Sequence, residues 1–179
     1  VAPFYAKWMD DVRRSQRADG SIPDVAMNWD WGRSIPWPSV FTIIPDWFLD
    51  FYADQNVVEK QYDAMNRWVQ AMHAINLLPD GTIKGGPYGD WCDAYSMDGK
   101  TSDSGKTPDD LISTAYHYNN CRIMARAATR LNKPEDAKLF GDWAGQLKTA
   151  FNKKFLDPST GVYQGGTQCA YVLPLAFDM

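Results

Sequence analysis

Apolar positions recur every three to four residues along most of this chain, the spacing of amphipathic helices. Residues 2–16 place Phe4, Trp8 and Val12 on one face, with Arg13 and Arg14 near the end, before Ala18-Asp19-Gly20-Ser21 stops the pattern. Residues 40–52 are almost wholly apolar (Phe41, Ile43, Ile44, Trp47, Phe48, Leu49, Phe51) and predict a helix buried on most faces. Pro45 removes one backbone donor from that helix and is expected to kink it. A third helix is predicted over 56–75, carrying Val57, Val58, Tyr62, Met65, Trp68, Val69 and Met72, and closed by the turn Pro79-Asp80-Gly81. Thr107-Pro108-Asp109-Asp110 predicts the next start, with Thr107 as N-cap and a helix running to about Leu131. Asn132-Lys133-Pro134 opens another that ends near Phe155, and residues 167–179 begin a last one. Strand-type alternation of any length is missing from the sequence; Ile83 is expected in a short strand or turn.

The connections differ in character. Tight ones at 54–55 and 132–133 alternate with long ones at 19–36, 80–106 and 157–166. Short loops on one face and long loops on the other predict αα-hairpins, an all-α fold forming part of an (α/α)6 toroid. The helices share no fixed-period repeat, which does not favour an ordinary helical solenoid. Both ends of the sequence fall in or near apolar helices. Residues 1–179 are therefore expected to be part of a domain, truncated at both ends.

Composition narrows the classes. The 179 residues are 45% hydrophobic and 22% charged, with a net charge of -4, which argues against a nucleic-acid partner. No apolar run reaches the length of a membrane span, and the opening VAPFYAKWMDD has no signal-peptide pattern. Cys92, Cys121 and Cys169 have no zinc-site spacing and are expected as free thiols, with one disulfide pair and a single free thiol as the alternative. Glu59 and Glu135 sit near helix N-termini, where the macrodipole favours them. Asp46 and Asp50, on the apolar helix, are expected at its open end or paired with an arginine or a hydroxyl. His73 and His117 stand isolated on helices, outside any HExxH, and are expected as hydrogen-bonded structural residues. A Walker-like run at 99–107 fails on glycine spacing, and no GxSxG elbow is present. Neither a metal nor a cofactor is expected.

The chemistry concentrates in GGPYGDWCD, residues 85–93, within the long 80–106 loop. A loop of this length in a compact domain is functional or disordered, and its Tyr, Trp and Cys argue against disorder. Tyr88 and Trp91 bracket Gly89 and Asp90, so flat aromatic faces and a carboxylate converge on a turn. Aromatic faces stack on sugar C–H groups and carboxylates accept hydroxyl protons, which points to a carbohydrate surface. Asp30, between Trp29 and Trp31, is a weaker version of the same arrangement. A glycosidase needs two carboxyls, and no pair stands out here.

Several segments together resemble a known family. Lys7-Trp8-Met9-Asp10-Asp11, Gln16 through Ala26 (QRADGSIPDVA), Ile35-Pro36-Trp37 leading into the helix with Pro45, the helix around 62–69, Tyr88-Gly89-Asp90-Trp91 and Thr167-Gln168-Cys169-Ala170-Tyr171 are similar, in order, to the barrel of bacterial α-L-rhamnosidases of glycoside hydrolase family 78. The resemblance implies an (α/α)6 toroid that hydrolyses terminal α-L-rhamnosides with inversion and without a cofactor. It implies that the general acid lies upstream of Trp8 and the general base downstream of the helix at 167, so that no catalytic residue falls within this chain. Trp37 and Trp91 would be aromatic walls of the sugar pocket, with Tyr88 and Asp90 beside them. Where the family has Gly-Asp-Ala after the first tryptophan, this chain has Pro38-Ser39-Val40. The implied partners are a rhamnoside substrate and the remaining parts of the same protein. A helical-repeat binding module, and another α-toroid glycosidase or lyase, are the alternative readings.

Overall fold

The computed structural model describes residues 1–25, 32, 34–86, 89–90 and 106–179. Among these, six helices appear in the predicted places: α1 (Ala2–Arg14), α2 (Val40–Tyr52), α3 (Asn56–Asn76), α4 (Asp109–Arg130), α5 (Pro134–Phe155) and α6 (Gln168–Phe177). A two-residue antiparallel ribbon, β1 (Leu156–Asp157) and β2 (Val162–Tyr163), follows α5. Pairs this short leave no alternation to read in a sequence, which is why the ribbon went unpredicted. Ile83 pairs with Leu77 in an isolated bridge, as expected.

Side-chain partners fix the helix directions. Along α2 and α4, Thr42 meets Asn120 while Asp46 and Asp50 meet Arg126, so the two run parallel. Between α4 and α6, Thr107 meets Thr167 at the start, and Tyr118 reaches Asp178 at the end. The other three helices are likewise parallel to one another. Gln61 donates to Asp10 and Gln16 to the Ala64 carbonyl, Tyr62 donates to Asp136, and His73 stacks on Trp143. The result is two layers, α1-α3-α5 and α2-α4-α6, which the chain visits alternately.

Surface chemistry distinguishes the layers. α3 turns Glu59, Lys60, Asp63 and Arg67 to solvent, and α5 turns Glu135, Lys138, Asp142 and Gln146. Such charged outer stripes belong to helices on the outside of a fold. α2 and α6 instead expose Trp47, Phe51, Val172 and Leu175. The expectation that α2 is buried on most faces is therefore corrected: α1, α3 and α4 cover part of it, and among the described residues nothing covers the rest. α2 runs unbroken through Pro45.

α4 touches α2, α3, α5 and α6, and takes part in both apolar clusters. Surrounded in this way, it buries polar side chains as well, and each needs a partner. Asn120 donates to Ser39 and accepts from Thr42; Thr114 accepts from the Ile83 amide and donates to the Asp110 carbonyl. His117, fully buried, lies with Nε2 3.2 Å from Nδ1 of His73, whose other face stacks on Trp143 with ring centroids 3.8 Å apart. The two histidines, isolated in sequence, thus pair with each other across α3 and α4. The bond between them is the structural role expected.

Candidate functional site

The parallel layers put all the long connections at one end. Residues 15–39, 77–108 and 156–167 each lead into the N-terminus of an inner helix, α2, α4 or α6, while the tight links 53–55 and 131–133 lie at the opposite end. The predicted site residues fall in these long connections. Trp37 stands in the turn before α2, 42% exposed, and Asp90 lies in the segment that packs on the start of α4. Tyr88 and Trp91 lie outside the described residues, as do Trp29, Asp30, Trp31 and Cys92.

Trp37 lines a cleft of about 410 Å³ with Trp8 and Val12 of α1, Pro23, Asp24 and Val40. The lining is largely apolar, and Asp24 supplies its one carboxylate among the described residues. Asp24 Oδ1 accepts from both the amide (2.9 Å) and the hydroxyl (2.8 Å) of Ser34, closing the first long connection on itself. Its Oδ2 is buried with no hydrogen-bond partner among the described residues. Gly32 presses against that oxygen; a Cβ there would come within 1.7 Å of it. Burial raises the Asp24 pKa, and the Ser34 bonds and Arg17 offset this only in part.

The second connection is held by close packing. A Cβ on Gly85 would lie 2.3 Å from that of Asp109, and one on Gly89 would lie 2.8 Å from Asp109 Oδ1. Only glycine at 85 and 89 lets the backbone at those two positions lie this close to the first turn of α4. Lys154 braces the same region through Asp80 (2.9 Å), Asp110 (3.2 Å) and Thr82 (3.0 Å), and the Gly85 amide donates to Asp110. The hydroxyl of Thr82, with Lys154 beside it, holds the Asp80 pKa down to about 2. Gly86 approaches Ser34, bringing the second connection against the first.

Asp90 accepts from the hydroxyl of Thr107 at 2.5 Å, and Thr107 in turn bonds Thr167 at 2.5 Å. Thr107 is therefore not the N-cap of α4 that its sequence position suggests. Pro108 takes the capping position, without a side-chain bond, and the Thr107 hydroxyl is used across the loop instead. Thr167 does cap α6, accepting from the Ala170 amide.

Trp37 and Asp90 thus share one end of the molecule, in the connections that lead into α2 and α4, but Asp90 does not line the Trp37 cleft. Nothing local in the sequence marks Asp24 or Thr167 as a site residue, and Thr107 reads there as a helix cap. Asp24 finds its partner ten residues on, and Thr167 lies sixty from Thr107, so no local pattern signals either contact. Among the described residues, no group of three or more His, Cys, Asp or Glu side chains is placed to hold a metal, and no helix is long and apolar enough to cross a membrane. Cys121 is a buried free thiol.

Alternating inner and outer helices, with long connections gathered at one end, define an αα-hairpin toroid. Residues 1–179 match the bacterial alpha-L-rhamnosidase 6 hairpin glycosidase domain, and the chain belongs to that family. It is 30% identical over 188 residues to an alpha-L-rhamnosidase of Alteromonas sp. (strain LOR), a match covering all of this chain and 20% of that protein. An alpha-L-rhamnosidase of Formosa agariphila is 32% identical over 185 residues, again across the whole chain and 19% of its own length. The solved alpha-L-rhamnosidase from Dictyoglumus thermophilum superposes with a TM-score of 0.85 at 28% identity, over 98% of this chain and 20% of that one. The chain therefore spans about a fifth of the length of these relatives.

Proposed function

We propose that residues 1–179 are part of the catalytic (α/α)6 barrel of an inverting glycoside hydrolase that removes terminal α-L-rhamnose from glycosides or polysaccharides. In this reading the chain contributes one side of the sugar pocket, and the general acid and base come from other parts of the same protein. The observation that carries it is the gathering of Trp37 and Asp90 at the end where all three long connections meet, on a chain that matches the rhamnosidase hairpin domain throughout.

The carboxylates at this end support a binding role over a catalytic one. Asp24 is engaged by Ser34, Asp80 and Asp110 by Lys154, and Asp90 by Thr107. A carboxylate fixed in this way serves better as a hydroxyl acceptor than as a group that must gain and lose a proton. Trp37, Tyr88 and Trp91 supply stacking faces, and Asp90 accepts a sugar hydroxyl.

The test is hydrolysis of an aryl α-L-rhamnoside by the full-length protein, with the anomer of the released sugar followed by NMR. Rhamnose released with inversion is the expected result, and Trp37→Ala raises KM about tenfold, equivalent to about 1.4 kcal/mol of binding. Cleavage of other aryl glycosides but no rhamnoside would sink the substrate assignment.

A further inference from the structure

Three hydroxyl-bearing or acidic groups from distant parts of the chain form a single line at the site end: Asp90, Thr107 and Thr167. The hydrogen-bond direction along it is forced. The carboxylate oxygen is the acceptor, so Thr107 gives its one proton to Asp90 Oδ2 at 2.5 Å. Thr107 then has only lone pairs left for Thr167, which must be the donor across their 2.5 Å contact. The Thr167 oxygen takes its own bond from the Ala170 amide at 3.2 Å, in the first turn of α6. The relay therefore runs from a helix amide, through two hydroxyls, to one carboxylate oxygen. Hydrogen bonds in such a chain polarise one another in the same sense.

Each member is held stiffly. Thr107 is 1% exposed, β-branched, and followed by Pro108, which restricts its backbone to extended conformations. A Cβ on Gly165 would come within 3.0 Å of Pro108 Cδ, so the third connection is pressed onto this segment. Gly89, next to Asp90, is packed on α4 from the other side.

Several threonines of this molecule give their proton to nearby groups: Thr82 and Thr160 bond carboxylates two and three residues back. Thr114, Thr129 and Thr149 each donate to the carbonyl four residues back on their own helix. Such bonds satisfy a hydroxyl locally, within its own helix. Thr107 instead spends its proton on a partly exposed carboxylate seventeen residues away.

We infer that Thr107 and Thr167 are positioning residues, which fix Asp90 as an oriented acceptor for a substrate hydroxyl. The inference rests on the carbohydrate-binding reading of this end. With Oδ2 engaged by Thr107, the carboxylate plane is set and Oδ1 is the oxygen presented to the sugar. Thr167 couples this orientation to α6, so one carboxylate is positioned by two inner helices at once.

The test uses the full-length protein, an aryl α-L-rhamnoside for kinetics and calorimetric binding of L-rhamnose. Thr107→Val removes the donor at nearly constant volume and should raise KM and the rhamnose Kd about tenfold, the loss of one charge-assisted bond, with kcat changing far less. Thr107→Ser keeps the hydroxyl and should recover most of the affinity. In an Asp90→Asn background, Thr107→Val should add little, because the two act through one contact. If Thr107→Val does not fold, Thr167→Val at the partly exposed N-cap carries the same comparison, with a smaller rise in KM. Unchanged KM and Kd in a folded Thr107→Val or Thr167→Val protein would overturn the inference and leave the rhamnosidase reading standing. A parent protein that neither binds L-rhamnose nor cleaves the rhamnoside overturns that reading itself, and the inference with it.

Discussion

His117 sits in an environment far from water. It is wholly buried, and burial, followed by the proximity of His73, pushes its pKa down to about 3. Burial lowers that of His73 as well. Both rings are neutral at pH 7, so one donates to the other. His117 Nδ1 has no hydrogen-bond partner among the described residues, and a buried lone pair without a partner costs less than a buried N–H without one. That assigns the proton of His117 to Nε2, donating to His73 Nδ1. The unfolded chain protonates near 6.5, well above the folded value, so it binds more protons below that pH. Stability contributed by the neutral pair is complete above about pH 6.5 and is lost as pH falls toward 3, with a slope of about 1.4 kcal/mol per unit from His117 alone. Urea unfolding across this range should show that slope, and His117→Phe should flatten it. An equal slope in the variant would assign the acid sensitivity to other groups.

At the scale of elements, the contact between parallel helices α2 and α4 turns on Arg126. Its guanidinium reaches Asp46, which is largely covered, and forks onto Asp50, whose side chain is 46% exposed. On an apolar helix these acids are expected at its open end or paired with an arginine or a hydroxyl; the partner found is an arginine eighty residues from Asp46. The two acids should contribute unequally. Arg126→Met leaves Asp46 covered without its partner and is expected to cost about 1–3 kcal/mol. Asp50→Ala removes only the exposed arm and should cost under about 1 kcal/mol. Melting of the two variants by differential scanning calorimetry checks the order, and equal losses would contradict it.

For the whole molecule, the exposed chemistry of the inner layer matters most. Phe51 is 75% exposed and Leu175 81%, beside Trp47, Tyr52 and Val172. Burying a large apolar side chain is favourable by roughly 1.5–3 kcal/mol, and an apolar patch open to water tends to find a partner. Residues 1–179 prepared alone are therefore expected to self-associate, with sedimentation velocity showing oligomers or aggregates. Replacing Phe51 and Leu175 by Gln should shift the population toward monomer. A monomeric, cooperatively melting parent chain would count against the proposal that this is part of a larger toroid.

Helix positions, the alternation of tight and long connections, and the segments that mark the family follow from the sequence alone. They depend on spacing a few residues long: the apolar period of α3, the acids and proline that open α4 and α5, the turn at 79–81. The aromatic and acidic content of the 85–93 segment is equally local, and the proposal of a sugar surface there starts from it. Direction and partnership were decided only in three dimensions. That α2, α4 and α6 run parallel, bringing three loops to one end, depends on packing between helices far apart in the chain. The same holds for the use of Thr107, which by its neighbours should cap a helix, and for the pairing of two histidines forty-four residues apart. A buried donor or acceptor takes whichever partner the fold brings within reach, and sequence distance does not enter that choice.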